Sequence, residues 1–96
     1  MTSKQRAYLR GLANSIDAIF QVGKGGISPA LIKQVDDALE ARELIKISVL
    51  ETAPDSVKDI GNCLAEETNA VFVQSVGNKI TLFRQRKEKS RIVFPN

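Results

Sequence analysis

The 96-residue sequence contains no histidine, no tryptophan and a single cysteine, Cys63. Without histidine, a serine or cysteine triad has no general base. A lone cysteine cannot form an internal disulfide, and it cannot build a structural zinc site, which needs four nitrogen or sulfur ligands. We therefore expect no catalytic residue, no metal site and no cofactor, and we expect a reducing, cytoplasmic location.

Long apolar runs are also missing from the sequence. The longest stretch without a charged residue is Thr68–Asn78, which has 11 residues, whereas a membrane-spanning helix needs about 20. The composition is 43% hydrophobic and 26% charged, which is typical of a globular domain with one modest core. These values predict one small domain that does not associate with a membrane. The sequence leaves the oligomeric state open, and our expectation is a monomer.

The formal net charge is only +3, but the charges are unevenly distributed. Residues 1–27 and 79–96 are basic, with net charges of +3 and +5, and residues 28–78 carry −5. If the two ends of the chain meet in the fold, the domain has a positive face and a negative back. Such a positive face would favour a polyanion as the partner.

Hydrophobic periodicity and turn signals predict seven elements. In chain order these are a helix over 2–13, a strand over 18–22, a helix over 28–42, a strand over 44–50, a helix ending near 67, and strands over 70–76 and 79–85. Parallel strand–helix–strand units followed by a hairpin at Gly77–Asn78 give an α/β fold with a mixed four-stranded sheet. We place the domain at residues 1–85 and a basic, mobile tail at 86–96, with Ile92–Phe94 as the part that could dock.

Three local features add detail to this prediction. The spacing of Thr52 and Asp55 fits a capping box that starts the third helix. Gly61, inside that helix, costs about 1 kcal/mol relative to alanine, and a close approach by another backbone segment is one reason for a glycine there. In the central strand, Lys46 and Ser48 share one face, so we expect part of that face to be hydrated.

The most distinctive local feature is the segment VGKGGIS, which lies between a predicted strand and a predicted helix. Glycines permit close approach of a ligand, and successive amide N–H groups next to a helix N-terminus favour an anion. Lys24 adds a positive charge, and Ser28 followed by Pro29 starts the helix. The segment therefore points to phosphate binding by Gly23, Lys24, Gly25, Gly26 and Ser28.

Known phosphate-binding motifs match this segment only in part. The P-loop pattern fails because Gly25 follows Lys24, and the dinucleotide pattern GxGxxG meets Ser28 at its sixth position. The pattern GxxG is satisfied by Gly23–Gly26, and in KH modules such a loop clamps an RNA backbone, although there it joins two helices. A glycine-rich turn that only connects the strand to the helix is the other interpretation of this short pattern.

Three segments together resemble one protein family, the CRM domain. They are TSKQRAYLRGLA (Thr2–Ala13), FQVGKGGIS (Phe20–Ser28) and VQSVGNKITLFR (Val73–Arg84), and their order and spacing match that family over about residues 2–85. CRM domains are the RNA-binding modules of chloroplast splicing factors and of small bacterial YhbY-like proteins. Two differences are notable: Phe83 replaces a common tyrosine, and Asn14 and Asp17 replace residues that are often basic or histidine.

The resemblance implies a fold similar to the C-terminal domain of translation initiation factor three. It also implies an RNA-binding face around Gly23–Gly26, flanked by basic residues of the first helix and by the end of the last strand (Lys4, Arg6, Arg10 and Arg84). Stand-alone bacterial members are associated with precursors of the large ribosomal subunit. The resemblance therefore implies a non-catalytic protein that binds large-subunit ribosomal RNA, or its precursor particle, during ribosome assembly.

Two other functions remain open from the sequence. The acidic helix face with Asp36, Asp37 and Glu40 could bind a basic ribosomal protein, which would make the chain a protein–protein adaptor. The glycine loop could instead serve a nucleotide-binding enzyme, although the P-loop residues are missing. RNA is the partner that we predict, and we expect no small-molecule substrate.

Overall fold

The computed structural model describes residues 1–88, 90 and 92–94. It has the predicted order of elements, and the predicted fold class is confirmed. The elements are α1 (Ser3–Ala13), β1 (Ala18–Val22), α2 (Pro29–Arg42), β2 (Leu44–Val49), α3 (Val57–Thr68), β3 (Val71–Val76) and β4 (Lys79–Phe83).

The four strands form one sheet in the order β1-β2-β4-β3. β1 and β2 are parallel, whereas β4 is antiparallel to both β2 and β3. Because β4 runs back along β2, its first residue, Lys79, pairs with Ser48, and its last, Phe83, pairs with Leu44. The first residue of β4 therefore lies at the same end of the sheet as the last residue of β1. The last residue of β4 lies at the opposite end of the sheet.

Side-chain alternation in the strands separates two cores, one on each face of the sheet. On one face, α2 and α3 pack on Ile45, Ile47, Ile80 and Leu82, all at most 1% exposed. On the other face, α1 packs on Leu44, Phe83 and Val73 through Leu9. The domain thus has three layers, and α1 covers only part of its face.

The predicted start of the third helix is wrong. Ser56, rather than Thr52, is the N-cap of α3, and its hydroxyl accepts a hydrogen bond of 3.1 Å from the amide of Asp59. The chain cannot enter the helix earlier, because residues 50–53 form a turn and Pro54 packs against Gly26. The segment between β2 and α3 therefore lies against the glycine loop.

The described part of the tail is docked on the domain rather than mobile, and it docks through Ile92 and Phe94, in the segment that we named as the part that could dock. Ile92 and Phe94 pack against the core beneath α1, and the ring of Phe94 lies edge-on to those of Phe83 and Tyr8, with centroids 5.7 and 5.9 Å apart. The predicted basic residues Lys89 and Arg91 lie outside the described residues.

Candidate nucleic-acid interface

The glycine segment forms a tight turn directly after β1. The amide of Gly26 donates a hydrogen bond of 2.9 Å to the carbonyl of Gly23. Gly26 has φ +65°, and a Cβ atom at this position would lie 3.0 Å from Pro54 Cγ. Glycine is therefore required at residue 26 both for its backbone conformation and for space. Lys24 and Gly25 form the exposed tip of the turn.

The turn offers fewer amides to an anion than we predicted. The Gly26 N–H is used inside the turn, whereas those of Lys24 and Gly25 make no hydrogen bond with the part of the chain that the structure describes. Two adjacent exposed amides and the ammonium group of Lys24 therefore constitute the anion-binding groups at the tip.

Ser28 has a structural role at the start of α2. Its hydroxyl oxygen accepts a hydrogen bond of 3.1 Å from the amide of Leu31, so Ser28 is the N-cap that the sequence predicts. Pro29 follows and has no N–H to offer. The helix N-terminus thus contributes less to an anion site than its sequence suggests.

The three basic residues that we predicted in α1 divide into two groups. Arg6 is half-buried, and its Nη1 donates to the carbonyls of Phe72 and Val73 at 2.9 and 2.8 Å. These carbonyls belong to the edge strand β3, next to its irregularity, so Arg6 stabilises the sheet edge. Lys4 and Arg10 are exposed. Arg10 lies in the last turn of α1, close to its C-cap Asn14. Lys4 lies at the other end of the helix, about 15 Å along the axis from Asn14.

The expectation that Arg84 flanks the glycine loop is wrong. Arg84 follows Phe83, the last residue of β4. This end of the sheet is opposite to the end that carries the glycine loop. Its side chain is 20% exposed and donates to Asp36 and Glu40 of α2 and to the carbonyl of Thr68. Arg84 therefore joins β4 to α2 and α3, and we leave it out of the candidate interface.

Two lysines that we did not select lie on the sheet face that α1 leaves uncovered. The register places two rows across this face: Gln21, Ser48 and Lys79 next to the loop, then Lys46, Thr81 and Gln74. We call these six residues the open strip. Four residues of the strip line a cleft of about 110 Å³, and Asn14 and Val76 complete it. The four are Lys46, Gln74, Lys79 and Thr81. The alternation in LIKISV placed Lys46 and Ser48 on one face, and that signal could have identified the strip.

Charge is segregated between the two sides of the sheet. α1 contains three basic residues and no acidic one, and the open strip adds Lys46 and Lys79. On the other side, α2 and α3 together contain six acidic and three basic residues. The side of α1 and the open strip is therefore the one that favours a polyanion.

Metal binding and membrane crossing can be judged for residues 1–88, 90 and 92–94. No cluster of three or more acidic or cysteine side chains there is arranged to hold a metal ion. Within the same residues, every helix is too short or too polar to cross a bilayer.

Comparison with known proteins agrees with the fold and with the sequence resemblance. The model of the CRS1 / YhbY (CRM) domain family matches residues 1–84. The chain is 43% identical to the "Probable RNA-binding protein YqeI" of Bacillus subtilis, covering 99% of both chains. It is 30% identical to an "RNA-binding protein" of Haemophilus influenzae, over 99% of this chain and 95% of the relative.

A solved structure supports the same relationship. The solution structure of the hypothetical protein SAV1595 from Staphylococcus aureus superimposes with a TM-score of 0.82. The two chains are 48% identical, and the match covers 99% of each. A family match over most of the chain, two full-length relatives and a shared structure lead to one conclusion. This chain belongs to the CRS1 / YhbY (CRM) domain family.

Proposed function

We propose that this chain is a non-catalytic RNA-binding protein that holds RNA phosphates at the turn Gly23–Gly26. The observation that carries the proposal is the exposed tip, where the amides of Lys24 and Gly25 have no partner among the described residues and the lysine adds a cation. The names of the relatives support RNA as the ligand. Arg10 belongs to the same basic side of the molecule, and Lys4 is its most distant member.

The biological target in this proposal is large-subunit ribosomal RNA or its precursor particle, within the cytoplasm. The chain has no aromatic residue at the tip of the turn, so it has little means to stack on bases there. Phosphate contacts fix the position of a protein on RNA without reading its sequence. A structured RNA, recognised through its backbone and shape, is the target that such a site suits.

One pair of variants tests the turn. Lys24→Gln removes the cation at the tip, and Lys33→Gln removes the same charge from α2, where the Lys33 side chain is 78% exposed. We expect Lys24→Gln to weaken binding of ribosomal RNA about five-fold, the upper range for one exposed charge contact, with no loss of thermal stability. Lys33→Gln should bind like the wild type. Equal affinities for all three proteins would refute the turn as the phosphate site.

The target RNA needs a separate experiment. Ultraviolet crosslinking in cells, followed by sequencing of the attached fragments, should enrich large-subunit ribosomal RNA in the wild type and lose that enrichment in Lys24→Gln. Fragments distributed over messenger or transfer RNA would refute the ribosomal target and leave RNA binding intact.

The acidic side of the molecule supports a second candidate, a protein–protein adaptor. Asp36 and Glu40 are engaged by Arg84, so Asp37, whose side chain is 66% exposed, is the better test position. Asp37→Lys should abolish capture of a basic ribosomal protein if this surface is used, and it should leave RNA affinity unchanged. Capture of that protein at wild-type level by Asp37→Lys would eliminate this candidate.

A further inference from the structure

The open strip continues directly from the glycine turn. Gln21 and Ser48 pair across β1 and β2, and one residue further on, Val22 pairs with Val49. Gly23 follows at once, so the turn begins about 7 Å from the near row of the strip, two residues along an extended chain. Four adjacent strands span about 14 Å at the usual strand spacing. The turn and the strip therefore form one continuous surface.

The lysines of the strip lack an acidic partner. Lys46 lies opposite Thr81, and Lys79 is two residues before Thr81, so the two lysines are diagonal neighbours on adjacent strands. Such positions are about 7–8 Å apart. None of the ion pairs among the described residues includes either lysine. Two like charges this close, without a counter-charge, favour an anion bound between them.

Hydroxyl groups between these lysines also lack a protein partner. Thr81 is 2% exposed and Ser48 is 8% exposed, and neither side chain makes a hydrogen bond with the described residues. No fully buried polar side-chain atom in that part of the chain is unpaired, so each of these hydroxyl oxygens keeps a small contact with solvent. Thr81 lines the cleft itself. A hydroxyl held in this way offers a hydrogen bond to a ligand rather than to the protein.

The neighbouring surfaces direct a bound polyanion toward the strip. On the other side of the turn lies the segment between β2 and α3, in which Glu51 and Asp55 are exposed. An RNA chain that left the turn in that direction would meet negative charge, whereas the strip presents two lysines and no acidic residue. Electrostatic repulsion on one side and attraction on the other thus define a path.

Stacking cannot be the binding mode of the strip. The described aromatic residues pack elsewhere in the two cores or on the docked tail: Tyr8, Phe20, Phe72, Phe83 and Phe94. The groups that the strip offers are ammonium, hydroxyl and amide groups. These match phosphates and ribose hydroxyls, which are the repeating parts of an RNA strand.

We infer that the open strip is a second part of the RNA-binding surface, which holds the sugar–phosphate backbone of the strand leaving the turn. Lys46 and Lys79 bind phosphates, and the Thr81 hydroxyl hydrogen-bonds to a ribose 2′-hydroxyl. This inference rests on the proposed RNA-binding function and adds to it a path for the strand. It also adds a means of distinguishing RNA from DNA.

Titration of the ¹⁵N-labelled protein with a 12-nucleotide oligouridylate maps the surface directly. We expect amide shifts at Lys24 and Gly25 and also at Lys46, Ser48 and Gln74. Shifts at the turn without shifts at the strip would overturn the inference and leave the proposed function standing. Shifts at the strip alone would refute the turn and support the strip. The absence of any shift would refute both.

Affinity measurements test the individual groups. Lys46→Gln and Lys79→Gln should each weaken oligouridylate binding about five-fold, and Lys33→Gln is the matched control on α2.

Thr81→Val should weaken RNA binding about five-fold and leave oligodeoxyuridylate binding unchanged, because it removes one hydrogen bond and keeps the side-chain shape. Ser48→Ala provides a second hydroxyl deletion if Thr81→Val folds poorly. Equal losses for RNA and DNA in both hydroxyl variants would overturn the ribose contact, and unchanged affinity in both lysine variants would overturn the phosphate contacts.

Discussion

Arg84 and Asp36 hold the end of β4 against α2. Arg84 Nη1 donates to Asp36 Oδ1 at 2.5 Å, and Nη2 donates to the Asp36 carbonyl at 3.0 Å. Nη1 also donates to the carbonyl of Thr68 at 2.7 Å, the last residue of α3. One guanidinium group thus connects three elements and uses the fork geometry that arginine has and lysine lacks.

We therefore expect Arg84→Met to act on stability rather than on RNA binding. Removing the donors takes the partner from the Thr68 carbonyl at the end of α3 and breaks the ion pair with Asp36, so the variant should lose about 1–3 kcal/mol of unfolding free energy, as for hydrogen bonds to a charged group. Urea denaturation measures this loss. Arg84→Lys should restore only part of it. An RNA affinity that falls while the unfolding free energy stays constant would contradict this role.

Gly61 is a second position where a small change should have a clear effect. A Cβ atom added there would lie 2.6 Å from two ring atoms of Phe72. Gly61→Ala should therefore destabilise the domain by about 1–3 kcal/mol through overpacking, even though alanine favours the helix. Gly11→Ala, in α1, is the matched control, because its Cβ would meet nothing within 4 Å; it should stabilise by about 0.5–1 kcal/mol.

Replacing the ring tests this explanation further. In Gly61→Ala/Phe72→Leu the clash disappears, so the double variant should be more stable than the sum of the two single changes predicts. Additive losses in thermal denaturation would show that the ring contact is not the cause. Gly61 is approached closely by this aromatic side chain of strand β3, and not by another backbone segment as we suggested from the sequence.

Local patterns were sufficient to predict the elements of this fold. Leu31, Val35 and Leu39 repeat at helical spacing, and Gly77–Asn78 joins two alternating strands, so each element is encoded within its own segment. The start of α3 was the exception, because Thr52 and Ser56 are both acceptable caps. Only the packing of Pro54 against Gly26 decides between them.

The same local patterns could not predict which residues distant in the sequence lie together in the fold. Whether Arg84 lies beside the turn depends on the direction of β4, and an antiparallel β4 puts it at the opposite edge. Arg6 looked like a surface cation in α1, and only the carbonyls of Phe72 and Val73, far along the chain, reveal its role. Lys46 could have been selected, because strand alternation already separated it from the core.

Glu43 connects the domain to the tail, and its removal should release that segment. The residue is 0% exposed, and its carboxylate accepts hydrogen bonds from the amides of Arg86 and Ile92 and from the Ser90 hydroxyl. Glu43→Gln keeps the shape but weakens these charge-assisted bonds. We expect a loss of about 1–3 kcal/mol and faster hydrogen exchange at the Ile92 amide. Glu67→Gln, at an exposed position of α3, is the control.

One experimental outcome would contradict the prediction that Glu43 holds the tail. If Glu43→Gln lowers the unfolding free energy while exchange at Ile92 keeps its wild-type rate, the carboxylate stabilises the end of α2 and not the tail. Loss of the contact between Tyr8 and Phe94, seen as altered ring resonances, would accompany a true release.

The salt dependence of RNA binding reports how many cations contact phosphates. If Lys24, Lys46, Lys79 and Arg10 each neutralise one phosphate, log K for a single strand should fall with log salt at a slope of about −3. The double variant Lys46→Gln/Lys79→Gln should show a slope whose magnitude is smaller by about 1.4, because each phosphate contact on a single strand contributes about 0.7. Arg84→Met should keep the wild-type slope, since its guanidinium group is engaged by α2 and α3. A wild-type slope in the double variant would place the phosphates elsewhere, and a reduced slope in Arg84→Met would return that residue to the interface.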